Sequence, residues 1–447
     1  MDDAFDAHYY NTVDQIYHAQ WSLTKLSRQE LLRQSIHALW PHGHPTRLIQ
    51  IAGTSGKGST CRLLEAGLQL VSKAGTFTGP HLFDYCERFS IAGRIVARAD
   101  VTAAWETVVK PHALTLTLNN PQHTLSFHEI GILIALTLFD WHQVEWAAIE
   151  TGIGGRYDQT TALTVAATAL TNVGRDHEHL LGAMTWQRAL DKVGIARPGV
   201  PLFTSECVPE TLQIITSVCQ ATDAPLHVVD HHDVERLNTL WATIRSDDVP
   251  DPSLLASAHQ QWNAALALAL IQHVCPEIDM QQVVQRFASV RFPGRFWQVS
   301  EWLYADIAHN PDKIGALARE LEQKFPQVGK LFVVGVSGQR SVRANLSPLL
   351  PLAKTMIVTG AAFKGQDARQ VRAELEDVHG AVPLLVIAEP QQALAVAQAM
   401  RTVNDIVILT GSTYMIDQML NPDPYLRILN ATCGWRTREA QAEGSRT

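Results

Sequence analysis

Cysteine is scarce in this chain. Six occur in 447 residues, at Cys61, Cys86, Cys207, Cys219, Cys275 and Cys433, and no two form a C-x-x-C pair. A disulfide framework and a structural zinc site are therefore not expected, and a reducing cytosol is. Long apolar runs are missing too. The longest, Gly131 to Phe139, falls well short of the ~20 residues that cross a bilayer, so no membrane partner is expected. Positive charge is not in excess: 36 Lys and Arg stand against 44 Asp and Glu, a net charge of −8. That balance argues against nucleic acid as a partner. The N-terminus is polar and acidic (Asp2, Asp3, Asp6), unlike a secretory signal. There are 19 histidines, yet no H-E-x-x-H or similar metal spacing. Repeats and low-complexity segments are absent as well.

What is present is a globular composition, 46% hydrophobic and 18% charged, long enough for two or three domains. Helical patterns run over 7–21, 28–40, 59–72, 128–142, 209–220 and 257–273. Short apolar runs bounded by turn residues read as strands at 47–52, 73–78, 146–150, 165–171, 201–204 and 226–229. Asp247–Pro252 is a turn-rich break, and Arg291–Arg295 (RFPGR) reads as a hinge. Beyond it the pattern restarts, with strands at 302–307, 330–335, 355–359, 383–387 and 405–409. Strands alternating with helices predict an α/β fold with mainly parallel sheets. The division expected is 1–292 and 293–447, with a polar tail over 436–447.

Gly53-Thr54-Ser55-Gly56-Lys57-Gly58-Ser59-Thr60 sits between a predicted strand and a predicted helix, the context of a phosphate cradle. Glycines let backbone N–H groups converge on phosphate oxygens, and the helix N-terminus adds a favourable dipole. Lys57 would reach the terminal phosphates, and Ser59 or Thr60 would help hold Mg²⁺. The spacing departs from G-x-x-x-x-G-K-[ST], so an ordinary strand-to-helix turn is the alternative. Glu150 closes another strand, where ligands collect in open α/β sheets, beside Gly152, Gly154 and Gly155. It reads as a Mg²⁺ ligand or as a surface-turn carboxylate. His177, in VGRDHEHLLG, follows a further strand and would reach the same crevice, unless it is simply a hydrogen-bonded loop residue. Taken alone, Lys192 is a helix-end lysine.

Together these segments resemble the Mur-ligase superfamily, and within it the folylpolyglutamate synthase / dihydrofolate synthase family. The matching stretches run from about 47 to about 418. They are GTSGKGST (53–60), PHL (80–82), ERF (87–89), ETGIGGRYD (150–158), DHEHLLG (176–182), DKVGIARPG (191–199), HQQWNAALAL (259–268), FPGRF (292–296), DIAHNPD (306–312) and GSTYMI (411–416). The resemblance implies an N-terminal P-loop ATPase domain of Mur-ligase type and a C-terminal Rossmann-like domain. It implies ATP on Thr54 to Thr60 (with Ser55, Gly56, Lys57, Gly58 and Ser59), Asn263, Arg295, Asp306 and His309. It implies two Mg²⁺ ions on Glu150, His177, Ser59 and a Lys192 carbamylated by CO₂, with Lys57, His177 and Lys192 as the catalytic residues. The acid substrate would contact Leu125, Ser126, Phe127 and His128, and Tyr157, Asp158 and Gln159. Five departures stand out: Ser55 where the loop usually has Asn, Gly79 where the family has a metal-binding Ser, His128 for an aromatic residue, Gln159 for a small one, and Gln339-Arg340-Ser341 for an Asp-Lys-Asp cluster.

The implied reaction is ATP-dependent amide formation through an acyl phosphate, most simply between dihydropteroate or folate and L-glutamate, in a cytoplasmic monomer. Phosphoryl transfer of this kind needs positioning and charge neutralisation more than a nucleophile, and no nucleophilic triad is evident. Rival readings are the same chemistry on another acid or amino acid, a P-loop kinase or NTPase, and a nucleotide-binding homologue that has lost catalysis.

Overall fold

The computed structural model describes residues 2–19, 24–244, 255, 257–378 and 380–432. The predicted turn at 247–252, the tail at 436–447 and the end of the first helical pattern lie outside them. The described chain divides into two compact units. One comprises Met1–His81 and Tyr85–Arg291, the other Leu82–Asp84 and the chain from Phe292 onward.

Among the described residues the first unit holds an eight-stranded sheet in the order β4-β3-β2-β5-β1-β6-β7-β8. Its strands are β1 (Arg47–Ala52), β2 (Ala74–Phe77), β3 (Phe89–Ile91), β4 (Arg94–Ile95), β5 (Trp146–Glu150), β6 (Ala167–Leu170), β7 (Leu202–Thr204) and β8 (Leu226–Val228). The six strands from β2 to β8 in that order run parallel. β5 is buried throughout and β1 nearly so, as expected of strands covered on both faces. One covering layer packs the helices Lys57–Leu68, Ala258–Val274 and Met280–Ser289 through Leu63, Leu64, Leu68, Ile271, Val283 and Phe287. β1 lies between β5 and β6, so the order reverses around it. Its carboxyl end is the switch point at which α/β sheets bind ligands.

The second unit holds a six-stranded sheet, β13-β12-β11-β14-β10-β9. The strands are β9 (Trp297–Ser300), β10 (Leu303–Ala305), β11 (Gly329–Val334), β12 (Ala353–Val358), β13 (Leu384–Val386) and β14 (Asp405–Thr410). All pairings are parallel except that of β9. Every apolar run read as a strand forms one. β3, β4 and β9 were not legible, nor were the helices covering 98–119, 231–242 and 280–289.

Candidate active site

The phosphate loop joins β1 to the helix Lys57–Leu68. Gly56 caps that helix in the left-handed region (φ 83°), and a Cβ there would meet Asn263 Oδ1 at 2.1 Å. Only glycine meets both demands. Asn263 thus borders the loop. The loop is fixed from β6: Thr54 N–H donates to the Asn172 carbonyl (3.0 Å), Ser55 N–H to Asn172 Oδ1 (3.0 Å), and Thr171 Oγ1 to the Ser55 carbonyl (2.6 Å). Thr54 Oγ1 accepts from Gly174 N–H (2.9 Å).

Lys57 curls back over the loop. Its Nζ donates to the Gly53 carbonyl (3.1 Å) and lies 3.7 Å from Glu150 Oε1. The other Glu150 oxygen accepts from Gly79 N–H (2.9 Å). Ser55 Oγ, Ser59 Oγ and Thr60 Oγ1 are buried without a hydrogen-bond partner. Buried hydroxyls are normally satisfied, so these three mark a place prepared for something else. Among the described residues, no three His, Cys, Asp or Glu side chains gather as a ready metal cage. The donor set is Ser59 and Glu150 beside Lys57. It suits a hard divalent cation that keeps water and phosphate oxygens in its shell.

Lys192 ends the helix Thr185–Lys192 and is only 3% exposed. Burial, with the positive charge of Lys57, pulls its ammonium down to about 7, against the pull of Asp176 and Asp191. Lys57 and Lys192 therefore share one electrostatic neighbourhood. The glycine cluster after β5 makes this approach feasible: a Cβ on Gly155 would meet the Lys192 carbonyl oxygen at 2.4 Å, and one on Gly154 would meet Asp191 Oδ1 at 2.1 Å. Gly155 N–H donates to that Asp191 oxygen (2.9 Å).

His177 is left-handed (φ 52°), at the start of the short helix Glu178–Leu181. Its Nε2 lies 3.8 Å from Asp176 Oδ1, and Asp176 is one of the two carboxylates that act on Lys192. Sequence reasoning missed Arg188, which holds this loop. It is 2% exposed and donates to the carbonyls of Gly174, Gly182 and Ala183 and to Thr185 Oγ1.

The predicted acid-contacting residues serve the scaffold as well. Ser126 and Glu129 form a capping box on the helix Phe127–Trp141, and both bond to Arg28, another residue missed. Leu125 is buried beside them. Asp158 accepts from Gly152, Ile153 and Thr160 N–H groups and from Thr160 Oγ1. Burial opposes its ionisation, but His128 and Thr160 outweigh it and hold the carboxyl below its usual range. His128 Nε2 lies 3.6 Å from Asp158 Oδ1. Tyr157 is exposed and Gln159 buried.

Arg295, Asp306 and His309 belong to the second unit. Asp306 follows β10, and its carboxylate accepts from Phe296 N–H (2.7 Å) and Ala308 N–H (2.8 Å). The Arg295 guanidinium stands 5.5 Å from the Phe292 ring centre. His309 donates from Nδ1 to the Ile307 carbonyl (2.8 Å), which leaves Nε2 to accept from Lys313 (3.4 Å). Gln339-Arg340-Ser341 is a turn: Ser341 caps the helix Val342–Leu346, and Gln366 donates to the Gly338 and Arg340 carbonyls.

The family model described as "Mur ligase, glutamate ligase domain" matches residues 294–413. Dihydrofolate synthase/folylpolyglutamate synthase of Bacillus subtilis (strain 168) is 27% identical over 399 residues, 84% of this chain and 91% of that protein. The Escherichia coli (strain K12) protein of the same name is 30% identical over 313 residues, 66% of this chain and 69% of its own. Bifunctional folylpolyglutamate synthase/dihydrofolate synthase from Yersinia pestis, complexed with AMPPNP and Mn ion, is similar in structure. Its TM-score is 0.74 at 25% identity, covering 90% of this chain and 94% of that one.

Proposed function

The chain belongs to the folylpolyglutamate synthase / dihydrofolate synthase family of ligases, and from that premise we propose that it joins dihydropteroate or a folate to L-glutamate at the expense of ATP. Three features support this: membership of the family, the phosphate loop with Lys57 against Glu150, and above all the buried Lys192, whose ammonium is pulled down by burial and by the charge of Lys57. A phosphate-binding turn alone would suit a kinase. A buried lysine whose ammonium gives up its proton near pH 7 suits CO₂ capture.

The substrate carboxylate attacks the γ-phosphorus of ATP, the bond to the β–γ bridging oxygen breaks, and ADP leaves with the electron pair. The glutamate amine then attacks the acyl carbon, the carbon–oxygen bond to phosphate breaks, and amide, phosphate and one proton result. Thr54 to Thr60, with Asn263, grip the phosphates. Arg295, Asp306 and His309 are proposed as further nucleotide contacts. Lys57 neutralises the charge that builds on the transferred group. Ser59 and Glu150 would hold one divalent cation, and His177 with carbamylated Lys192 a second. When bound, these metals supply fixed positive charge for phosphate and carboxylate oxygens. The carbamate forms when the neutral Lys192 amine attacks the carbon of CO₂ and loses a proton, converting a cation into an anionic ligand. The acid lies against Leu125, Ser126, Phe127 and His128 on one side and Tyr157, Asp158 and Gln159 on the other. The chain acts as a monomer on small molecules in the cytosol, which suits its sparse cysteines.

The buried Gln159 and the His128–Asp158 pair favour a second reading, in which the chemistry is kept and the acid differs. Purified chain with Mg-ATP, dihydropteroate and L-glutamate, followed by mass spectrometry, separates the two. The amide is expected. Amide formation from another acid alone would transfer the assignment to that acid, and ADP release with no amide from any acid would overturn ligation.

A further inference from the structure

Two of the segments singled out in the sequence, PHL at 80–82 and ERF at 87–89, have no part in the reaction as described so far. They meet. Arg88 Nε donates to His81 Nδ1 (2.9 Å), and His81 Nε2 bonds to the Tyr17 hydroxyl (2.9 Å). A guanidinium only donates, so His81 Nδ1 is the acceptor. Nε2 therefore carries the ring proton and donates to Tyr17. All three side chains are buried, with Tyr17 fully so. The His81 and Tyr17 rings lie parallel, 6° apart.

The guanidinium so held reaches a particular spot. A Cβ built on Gly79 would meet Arg88 Nη1 at 2.7 Å. The space that a side chain at 79 would take is therefore occupied by Arg88. The N–H of the same glycine donates to Glu150, which pairs with Lys57. The Arg88 Cζ also stands 4.8 Å from the centre of the Phe127 ring, within the segment against which the acid is proposed to lie. A buried guanidinium thus lies against both residue 79, whose N–H bonds to Glu150, and Phe127.

We propose that Arg88 contacts the substrate, receiving the acid's carboxylate as it meets the γ-phosphate, and that His81 and Tyr17 are positioning residues that hold its guanidinium there. Glycine at 79 is then required by Arg88. The assignment rests on the reading that a carboxylic acid is the phosphoryl acceptor. Planar, two-point recognition of a carboxylate is what a guanidinium offers and an ammonium does not.

The test uses the full chain with Mg-ATP, dihydropteroate (or the acid found to be turned over) and L-glutamate. R88A should lower kcat/KM for the acid roughly ten- to hundredfold, the loss of one charge-assisted contact. R88K should not recover it, and added guanidinium chloride should recover part. Mg-ATP affinity should stay within about twofold, well under the cost of a lost charged contact. His81→Leu should behave like R88A, while His81→Asn, whose amide oxygen replaces the Nδ1 acceptor, should recover much of the activity. Gly79→Ala should lose activity too, and Gly79→Ala/R88A should be no worse than R88A, because both act through one guanidinium. An R88A chain equal to wild type on the acid overturns the assignment alone. So does an R88A chain that loses acid and Mg-ATP affinity alike with no guanidinium rescue. A wild-type chain that turns over no carboxylic acid overturns the assignment and the proposed reaction together.

Discussion

Ser59 carries a buried hydroxyl with no partner in a helix that needs none from it. If it is a metal ligand, Ser59→Ala should separate stability from function. Removing an orphaned hydroxyl should leave the unfolding free energy within about 1 kcal/mol of wild type or raise it, while the Mg²⁺ concentration for half-maximal turnover rises. Thermal unfolding and a metal titration of the rate check the two halves. Lys192 allows a sharper test, because its native pKa of about 7 lies below the ordinary lysine value of about 10.4. In CO₂-free buffer the unfolded chain holds this proton between those values and the native chain does not. The cost of burying the charge is therefore fully present below about pH 7 and is relieved as pH rises toward about 10. The difference in melting temperature between wild type and Lys192→Met should narrow over that window. Lys192→Met should also abolish amide formation and leave Mg-ATP binding nearly intact. Turnover unchanged by the substitution would remove the carbamate from the account.

The loops after β1, β5 and β6 carry the residues of the candidate site, and their legibility in the sequence differed by element. β1 and β5 were readable to the residue, because strands buried on both faces read as short, mainly apolar runs, here with a glycine close behind. β3, β4 and β9 have two to four residues, pair antiparallel and are partly exposed, so no such run marks them. The phosphate loop announces itself because its donors are contiguous. The surroundings of Lys192 do not, since Gly155 and Lys57 come from far away in the chain. The pairing of His81 with Arg88 was invisible for a related reason: the residues between them give no period. Arg188 belongs to the same class, a buried cation most of whose acceptors are backbone carbonyls that any sequence would provide. Arg188→Ala should leave those carbonyls unpaired and loosen the 174–185 loop. A stability loss of about 3 kcal/mol or more is expected, with a raised Mg²⁺ requirement through His177. Chemical denaturation and the same metal titration measure both.

At the scale of the whole molecule, a chain of net charge −8 is proposed to bind anionic ATP and a carboxylate. Net charge had argued against nucleic acid, but a phosphate site is decided by local donors: the loop N–H groups, Lys57 and bound metal. Mg-ATP should accordingly raise the melting temperature of the wild type, by about 2.7 kcal/mol of stabilisation at a hundred times Kd. Lys57→Ala should lose most of that shift without losing the fold. The most direct test of the central claim follows the oxygen atoms. An acid substrate labelled with heavy oxygen in its carboxylate is turned over with Mg-ATP and L-glutamate, and the inorganic phosphate is analysed by mass spectrometry. Attack of the carboxylate on the γ-phosphate requires one labelled oxygen in the phosphate for every amide formed. Amide accompanied by unlabelled phosphate would contradict the acyl-phosphate mechanism.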